Sequence, residues 1–418
     1  YNIIIMGGAL LDLVAKGGQD IYLLCNPQIS FFKKVYKRHT NFSIDYHKFF
    51  LDSDADFGKP NRLFIPRRGD LVKNIYLHLE LPNLIPVEGS HISYINYIGY
   101  NIIDYIEIYI GGTLIDKQTG EWLYVWNELQ IIEAKKKAYY EMVGGSEFSD
   151  YSSYNGNKGG TYIVPLNFWF GSDISLAIPH VALQYSEIEF KIKFKDFNKL
   201  WISSDGSPPE IPEGSNNYKI TSCQLSVEYI YLDSKERKLF AQNNHEYLIK
   251  QIQYSINNNV LENEKKRTFN LNFNHPILEL IFFVQNKSVK NISANKGNDW
   301  LNFSKTLSYP FKDPIKTAKI LLNGQDRTTE MTSKELRYYN ILEKHSGIPY
   351  DNFIYVYSFS LHPEHYQPTG SSNFSRFDNK QLEIEFEDDI ENSDLKIYAV
   401  NYNVLRISQG LCGLAYVN

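Results

Sequence analysis

A short segment near the C-terminus places three potential metal ligands within four residues, His362-Pro363-Glu364-His365. Imidazole and carboxylate groups can bind divalent metals when the fold brings them together. Pro363, however, disrupts the helix that would place both histidines on one face. Because a turn at residues 368–370 follows, we interpret the segment as a solvated loop that leads into this turn.

Residues 245–249 begin like the metal-binding helix of zinc proteases, with His245 followed by Glu246. The second histidine of that motif is replaced by Ile249, which cannot bind a metal. The sequence contains no phosphate-binding loop, no dinucleotide-binding glycine motif and no nucleophile elbow. The carboxylates within residues 385–389 indicate a solvated strand end. We therefore predict no catalytic, cofactor-binding or metal-binding residues, and a protein that is not an enzyme.

Composition and charge restrict the class of protein further. The 418 residues carry a formal net charge of −5, whereas a general nucleic-acid-binding protein needs a basic face, so no direct specific nucleic-acid binding is expected. The lysines at 135–137 and the basic residues at 33–38 are interpreted as solvated faces. Cys25, Cys223 and Cys412 are far apart, which predicts neither a zinc site nor a disulfide framework and fits a reducing cytosol.

Alternation of apolar and polar residues predicts many strands with one buried and one solvent-exposed face. The clearest examples are residues 75–81, 106–110, 188–194 and 225–231. Such strands are typical of antiparallel sheets, and the aromatic content of 15% suits half-buried sheet surfaces. We therefore predict an all-β protein.

Helices are expected to be few. The predicted helices cover residues 26–35, 119–142, 233–241 and 333–344. Asn26 would cap the first of them, and Gly144 would stop the second. Before these helices, residues 1–25 form an arm whose apolar stretch is too short to span a bilayer. The arm would either dock flexibly on its own domain or lie as an amphipathic segment on a partner or membrane surface.

The second half of the sequence repeats the first in order. A turn at Gly111-Gly112 and a helix precede the strand at residues 187–195, and a turn at Asn323-Gly324 and a helix precede the strand at residues 382–386. Two domains of one architecture explain this repeat. Many short strands between turn-forming residues indicate a sandwich, for which a jelly roll protects the sheet edges.

The predicted domains are an N-terminal arm (1–25), a first eight-stranded antiparallel jelly roll (26–235) and a second one (236–418), with a linker helix at about 233–243. Surface connections tolerate insertions, so the turns and helices after Gly112 and Gly324 are expected to point outward or towards neighbouring subunits. The arm is expected to face inward.

Several short sequence segments spread over the chain resemble the major capsid proteins of nucleocytoplasmic large DNA viruses, including phycodnaviruses, iridoviruses and mimivirus relatives. The segments are residues 26–33 (NPQISFFK), 65–71 (IPRRGDL), 178–185 (IPHVALQY), 322–327 (LNGQDR), 367–376 (QPTGSSNFSR) and 401–407 (NYNVLRI). Residues 245–249 also match, which accounts for the incomplete zinc motif. Residues 1–5 precede Met6, where chains of this family usually begin, so we expect the natural start at Met6.

The resemblance implies a double jelly roll and a homotrimeric, pseudo-hexagonal capsomer that tiles an icosahedral shell. It also implies neighbouring capsomers, minor capsid and penton proteins as partners, contact with an internal membrane through the arm, and assembly in a cytoplasmic virus factory. No cofactor is implied. Two alternatives remain open: a paralogous minor capsid or scaffold protein of the same fold, or a glycan-binding or cupin-like jelly roll that would use His362 and His365.

Overall fold

The computed structural model describes residues 8–52, 55–145, 159–290, 298–307, 309–349 and 352–417. The chain divides into two compact units, residues 1–41 and residues 42–418. None of the helices within the described ranges is long and apolar enough to cross a lipid bilayer.

The first unit contains two short helices, α1 (Gly8–Val14) and α2 (Ile21–Leu24). The helix predicted for residues 26–35 is wrong, because no helix forms there. Asn26 adopts a left-handed backbone with φ 52°, whereas an N-cap needs an extended one. The side chains that would form its apolar face are exposed, Phe31 to 90% and Phe32 to 99%. Short helices need such a face to be packed, and propensity alone does not stabilise them.

The strands of residues 42–232 form one jelly roll. They are β1 (Phe42–Phe50), β2 (Pro60–Phe64), β3 (Leu71–Leu81), β4 (Ile92–Tyr94), β5 (Ile103–Ile110), β6 (Thr113–Thr119), β7 (Gly160–Pro165), β8 (Ile188–Phe194), β9 (Trp201–Ser203) and β10 (Ser222–Leu232). One antiparallel sheet has the order β1-β10-β3-β7 and the other the order β2-β8-β5-β6, while β4 pairs with β9. Eight strands in two four-stranded sheets make the first jelly roll.

The strands of residues 245–414 form the second jelly roll. They are β11 (His245–Val260), β12 (Lys266–Asn270), β13 (Pro276–Asn286), β14 (Ile315–Leu322), β15 (Gln325–Asp326), β16 (Met331–Thr332), β17 (Tyr355–Ser358), β18 (Ser372–Asn373), β19 (Lys380–Phe386), β20 (Ser393–Ser408) and β21 (Leu411–Leu414). The sheet orders are β11-β20-β13-β17 and β12-β19-β14-β15, with β16, β18 and β21 as short additions. The connectivity equals that of the first roll, which confirms the predicted double jelly roll.

The internal repeat is confirmed by matching turns and strands. Gly111 and Gly112 (φ 59° and 79°) join β5 to β6, and Asn323 and Gly324 (φ 50° and 76°) join β14 to β15. Two-residue hairpin turns with positive φ match the right-handed twist of the strands. The strands β8 and β19 occupy equivalent sheet positions. Buried and half-buried residues alternate along the whole of β8 and along residues 382–386 of β19.

The remaining helices occupy the connections between strands. They are α3 (Ile98–Asn101), α4 (Gly120–Gln130), α5 (Glu133–Val143), α6 (Trp169–Ser172), α7 (Ser234–Gln242), a π-helix (Glu335–Tyr339) and α8 (Asn340–Lys344), beside 3-10 turns at Ile174–Leu176, His180–Ala182, Phe197–Lys199, Lys287–Lys290 and Phe374–Arg376. The helix predicted for residues 233–241 is confirmed as α7, and the one predicted for 333–344 begins with the π-helix.

The single helix predicted for residues 119–142 is wrong, because the chain breaks between α4 and α5. Ile131 and Ile132 have extended backbones, with ψ 121° and 143°. The Leu129 carbonyl at the end of α4 accepts a hydrogen bond from the backbone N–H of Gly347, 2.7 Å away. This distant residue satisfies an end carbonyl of α4 that a continuing helix would have satisfied. The predicted stop at Gly144 is confirmed, since Gly144 is left-handed with φ 76°.

Candidate functional site

The contact between the two jelly rolls, here called the seam, is centred on α4. This helix belongs to the first roll and is buried along nearly its whole length. The Trp122 ring stacks on Tyr398 of β20 with ring centroids 5.1 Å apart, and on Trp126 at 5.3 Å. Trp126 in turn meets the His345 ring edge-on at 6.3 Å. The expectation that the helix after Gly112 points outward or towards neighbouring subunits is therefore wrong for α4, because its aromatic face is buried against the second roll.

Polar contacts fix the position of α4 in the seam. The Thr119 hydroxyl, which caps α4 by accepting from the Trp122 N–H, lies 2.9 Å from the Tyr398 hydroxyl. Lys396 of β20 forms an ion pair with Glu121 at 2.5 Å, and both side chains are largely buried. Removing one partner of such a pair would leave an uncompensated charge in the seam.

Further hydrogen bonds extend the seam beyond α4. The Tyr185 N–H donates to the Gly410 carbonyl over 3.0 Å. The Asn298 amide donates to the Trp201 carbonyl over 2.9 Å, and the Trp300 indole N–H donates to the Lys199 carbonyl over 2.9 Å. The two rolls are thus joined at several separate places, and residues 42–418 behave as one unit.

Lys136 on α5 contributes to the seam, although the sequence predicted a solvated face for it. Its ammonium group lies 3.1 Å from Glu133 and 3.6 Å from Glu128, and it donates to the Ile348 carbonyl over 3.2 Å. The side chain is 10% exposed. The prediction is wrong for this lysine because two carboxylates of the first roll and the Ile348 carbonyl of the second roll compensate its burial.

A close backbone approach at Gly347 supports the same contact. A Cβ atom at this position would lie 2.5 Å from the Glu128 carbonyl oxygen and 2.7 Å from that of Ile131. We expect Gly347→Ala to lower the free energy of unfolding by about 1–3 kcal/mol, since backbone atoms must shift to admit the methyl group. Chemical denaturation measures this loss. Gly413→Ala is the matched control, because nothing lies within 4 Å of its Cβ position, and an equal effect of both changes would contradict the steric explanation.

A buried carboxylate, Asp116 of β6, lies at the seam. Its two oxygens accept hydrogen bonds from the Ile252 N–H at 3.2 Å and from the Gln118 amide at 2.9 Å. Burial raises the pKa of Asp116 to about 6, and these hydrogen bonds only partly oppose the shift. Above that pH the seam contains a charge that the protein environment disfavours.

We expect Asp116→Asn to stabilise the protein above pH 6 by about 1–3 kcal/mol, because one pKa unit corresponds to about 1.4 kcal/mol. The folded pKa lies above the ordinary value of 3.8, so wild-type stability falls as pH rises from 3.8 to 6. The variant should lose this slope, because an amide does not ionise in this pH range. Denaturation at several pH values tests this, and a less stable variant at pH 8 would refute it.

Within the candidate metal segment, Glu364 contacts a histidine from another part of the chain. Glu364 is directed at His345, with its carboxylate 3.2 Å from Nδ1, and it also accepts hydrogen bonds from the N–H and hydroxyl of Ser346 at 3.0 and 2.6 Å. The rings of His362 and His365 are exposed and stack on each other at 5.0 Å. Within the residues that the structure describes, no group of three or more metal-ligating side chains comes together.

His345 lies between two carboxylates. Its Nε2 is 3.1 Å from Glu279, and both of these side chains are fully buried. Burial works against the charged imidazole, but Glu279 and Glu364 outweigh it and raise the pKa of His345 to about 9. The imidazolium can therefore donate to both carboxylates at neutral pH. Glu279, His345 and Glu364 form a buried ion triad that ties β13 to the loop after β17.

The other residues with potential chemistry are dispersed. His245 opens β11, where its Nε2 lies 2.7 Å from the Phe240 carbonyl oxygen, and so it is not on a helix. Glu385 pairs with Lys316 at 2.6 Å on neighbouring strands. Cys25, Cys223 and Cys412 are free thiols. Burial raises the pKa of the Cys223 and Cys412 thiols to about 12, which makes them poor nucleophiles.

The strand β1 has features of an interchain contact. It pairs with β10 on one side, and among the described strands none pairs with its other edge. Its apolar side chains Phe42, Ile44, Tyr46 and Phe50 are exposed, and they share one face of the strand. An unpaired edge beside an apolar row is a site where another chain can bind.

Comparison with known proteins identifies the family. The family model of the major capsid protein N-terminus matches residues 30–233, and that of the large eukaryotic DNA virus major capsid protein matches residues 236–413. The major capsid protein of Pyramimonas orientalis virus is 36% identical, over 99% of this chain and all of the relative. The chain belongs to the major capsid protein family of large eukaryotic DNA viruses. The predicted resemblance is thereby confirmed.

Other relatives agree with this assignment. The major capsid protein of Phaeocystis pouchetii virus is 32% identical over 99% of this chain and all of the relative. The crystal structure of VP54 from PBCV-1 covers 93% of this chain with a TM-score of 0.77 and 27% identity. The Faustovirus major capsid protein shares the fold, with a TM-score of 0.76 at 14% identity. The capsid protein is thus a structural component of a virion shell and not an enzyme.

Proposed function

We propose that three copies of this capsid protein form a pseudo-hexagonal capsomer that tiles an icosahedral shell. The observation that carries the proposal is the equal connectivity of the two jelly rolls and their attachment along the seam. Three chains would supply six similar sandwiches, enough for a hexagonal outline from a threefold particle. Neighbouring capsomers and minor capsid and penton proteins would be its partners, with assembly in a cytoplasmic virus factory.

The proposed domain boundaries follow the two sets of strands. The first jelly roll would comprise residues 26–235 and the second residues 236–418, with the linker helix at about 233–243. Residues 1–25 would form the N-terminal arm. In support, α7 (Ser234–Gln242) lies between the last strand of one roll and the first strand of the other.

We expect the purified protein to have three times the mass of one 48.6 kDa chain. Obligate trimer contacts are large and apolar, and the exposed row on β1 is a candidate for them. Light scattering coupled to size-exclusion chromatography measures the mass directly. A stable particle with the mass of one chain would contradict the proposed capsomer. The number of copies in purified virions separately distinguishes a major from a minor capsid component.

The arm is proposed to contact the internal membrane or a minor capsid protein. Within residues 8–41 many large apolar side chains are exposed, among them Leu11, Leu13, Leu23 and Phe32. Apolar residues on short helices can lie in a lipid interface. We expect a chain that lacks residues 1–25 still to form a trimer but no longer to sediment with lipid vesicles. If the truncated and complete chains sediment equally, the membrane part of the proposal fails.

A further inference from the structure

A cavity of about 500 Å³ opens at one end of the first jelly roll. Its walls come from the connection between β1 and β2 and from the long connection between β8 and β10. This volume lies within the usual range for small-molecule sites. None of the assembly contacts described above uses its side chains Phe57, Tyr218 or Asn217.

Aromatic rings form part of the cavity wall. Phe197 stacks on Tyr218 with ring centroids 4.6 Å apart and an interplanar angle of 16°, and Phe57 lies 5.1 Å from Phe197. Tyr218 is buried, and its hydroxyl donates to the Glu210 carbonyl at 2.7 Å and accepts from the Ile85 N–H at 3.0 Å. The ring on which Phe197 rests is therefore held in place, while Phe57 and Phe197 remain half-buried.

Polar side chains with planar ends surround these rings. Asp56, Asp196, Asn198 and Asn217 all line the cavity. Carboxylates accept hydrogen bonds, and amides both accept and donate them. Such groups can recognise a ligand that carries several hydroxyls beside an apolar face.

The charges in the cavity favour a neutral ligand. Asp56 is paired with Lys59 at 2.8 Å, and Asp196 with Lys199 at 2.7 Å. The lysines neutralise both carboxylates and orient them, yet leave lone pairs that can accept hydrogen bonds from hydroxyl groups. A cationic ligand would have to compete with these internal ammonium groups, and an anionic ligand would meet two carboxylates.

We propose that this cavity binds a neutral hexopyranose unit of a glycan. One face of a pyranose ring carries C–H groups that pack against the electron-rich face of an aromatic ring, here Phe197 or Phe57. The equatorial hydroxyls would then meet the carboxylates and amides. This binding activity is independent of the proposed capsomer, since every cavity residue belongs to a single chain.

Saturation-transfer NMR on the full-length protein tests the proposal with glucose, galactose, mannose and N-acetylglucosamine as probes. We expect transfer to at least one of them. Phe197→Ala should abolish it, and Asn217→Ala, a change at an exposed residue that leaves the rings intact, should weaken binding about fivefold through the loss of one hydrogen bond. Tyr339→Ala, which removes an exposed aromatic ring outside the cavity, should leave the transfer unchanged.

Three outcomes would overturn the proposal: no transfer to any of the four sugars, transfer that survives both cavity substitutions, or saturable binding of a lysine- or arginine-containing tripeptide in place of sugar. The source of a bound glycan is a separate question. Oligosaccharides released from the host cell surface and from purified virions, tested as separate competitors, distinguish recognition of the host from recognition within the particle.

Discussion

Replacing Trp122 with alanine is expected to lower the free energy of unfolding by about 3–5 kcal/mol. The indole is 1% exposed and packs between Trp126 and Tyr398, so its removal leaves a cavity lined by rings of both jelly rolls. The surrounding backbone is held by the ion pair between Glu121 and Lys396 and cannot collapse freely into the space. Chemical denaturation followed by intrinsic fluorescence and by circular dichroism measures the loss.

The control for this prediction is Tyr339→Ala, which deletes a ring that is 63% exposed. Surface substitutions of this kind usually change stability by less than about 0.5 kcal/mol. If Trp122→Ala cost no more than the control, α4 would not hold the seam together. A variant in which the two rolls unfold in separate transitions would support the seam as the element that couples them.

Replacing His345 with alanine is expected to destabilise the protein by about 3–5 kcal/mol at pH 6, because it leaves Glu279 and Glu364 without their shared cation. Glu279 has no exposed side-chain surface from which water could compensate the loss. His365→Ala is the matched control, since it removes an exposed imidazole from the residue directly after Glu364. Equal stability of the two variants would show that the triad does not stabilise the fold.

The triad also predicts the direction of a pH effect. The pKa of His345 is raised from 6.5 to about 9, so its contribution is complete below pH 6.5 and disappears as pH rises through about 9. Burial opposes the charge of Glu364, but hydrogen bonds from His345 and Ser346 outweigh this and lower its pKa below 4.5. The contribution of Glu364 is therefore lost only at more acidic pH. Between pH 6.5 and 9 the wild type should lose stability more steeply than His345→Ala.

Strands with one buried and one solvent-facing side, such as β8, could be predicted from the sequence. In β8, Ile188, Phe190, Ile192 and Phe194 are buried and alternate with charged residues, so the period of two is visible without knowledge of the partner strands. The turns were equally local, since Gly111-Gly112 and Asn323-Gly324 are residue pairs that adopt positive φ readily. The segments that resemble the capsid family are spread over nearly the whole chain, and this resemblance implied two consecutive jelly rolls.

The seam could not be predicted, because its causes are distant in sequence. The break after α4 depends on Gly347, and the burial of Lys136 depends on the Ile348 carbonyl. No local pattern near residue 130 encodes either contact. For the ion triad within the second roll one signal was available, namely Glu279, the single carboxylate within the mostly apolar β13, since an isolated charge in a buried strand requires a partner. The helix expected at residues 26–35 failed for the opposite reason, because good local signals lacked a packing surface.

The burial of α4 in the second roll has a consequence for synthesis. Thr119 and Tyr398 are 279 positions apart, so a ribosome must make nearly the whole chain before the aromatic face of α4 can be covered. Until then Trp122 and Trp126 are unshielded on a nascent first roll, where such surfaces promote aggregation. We expect that neither roll expressed alone would remain soluble, and that high-level production would depend on chaperones that shelter the unfinished chain.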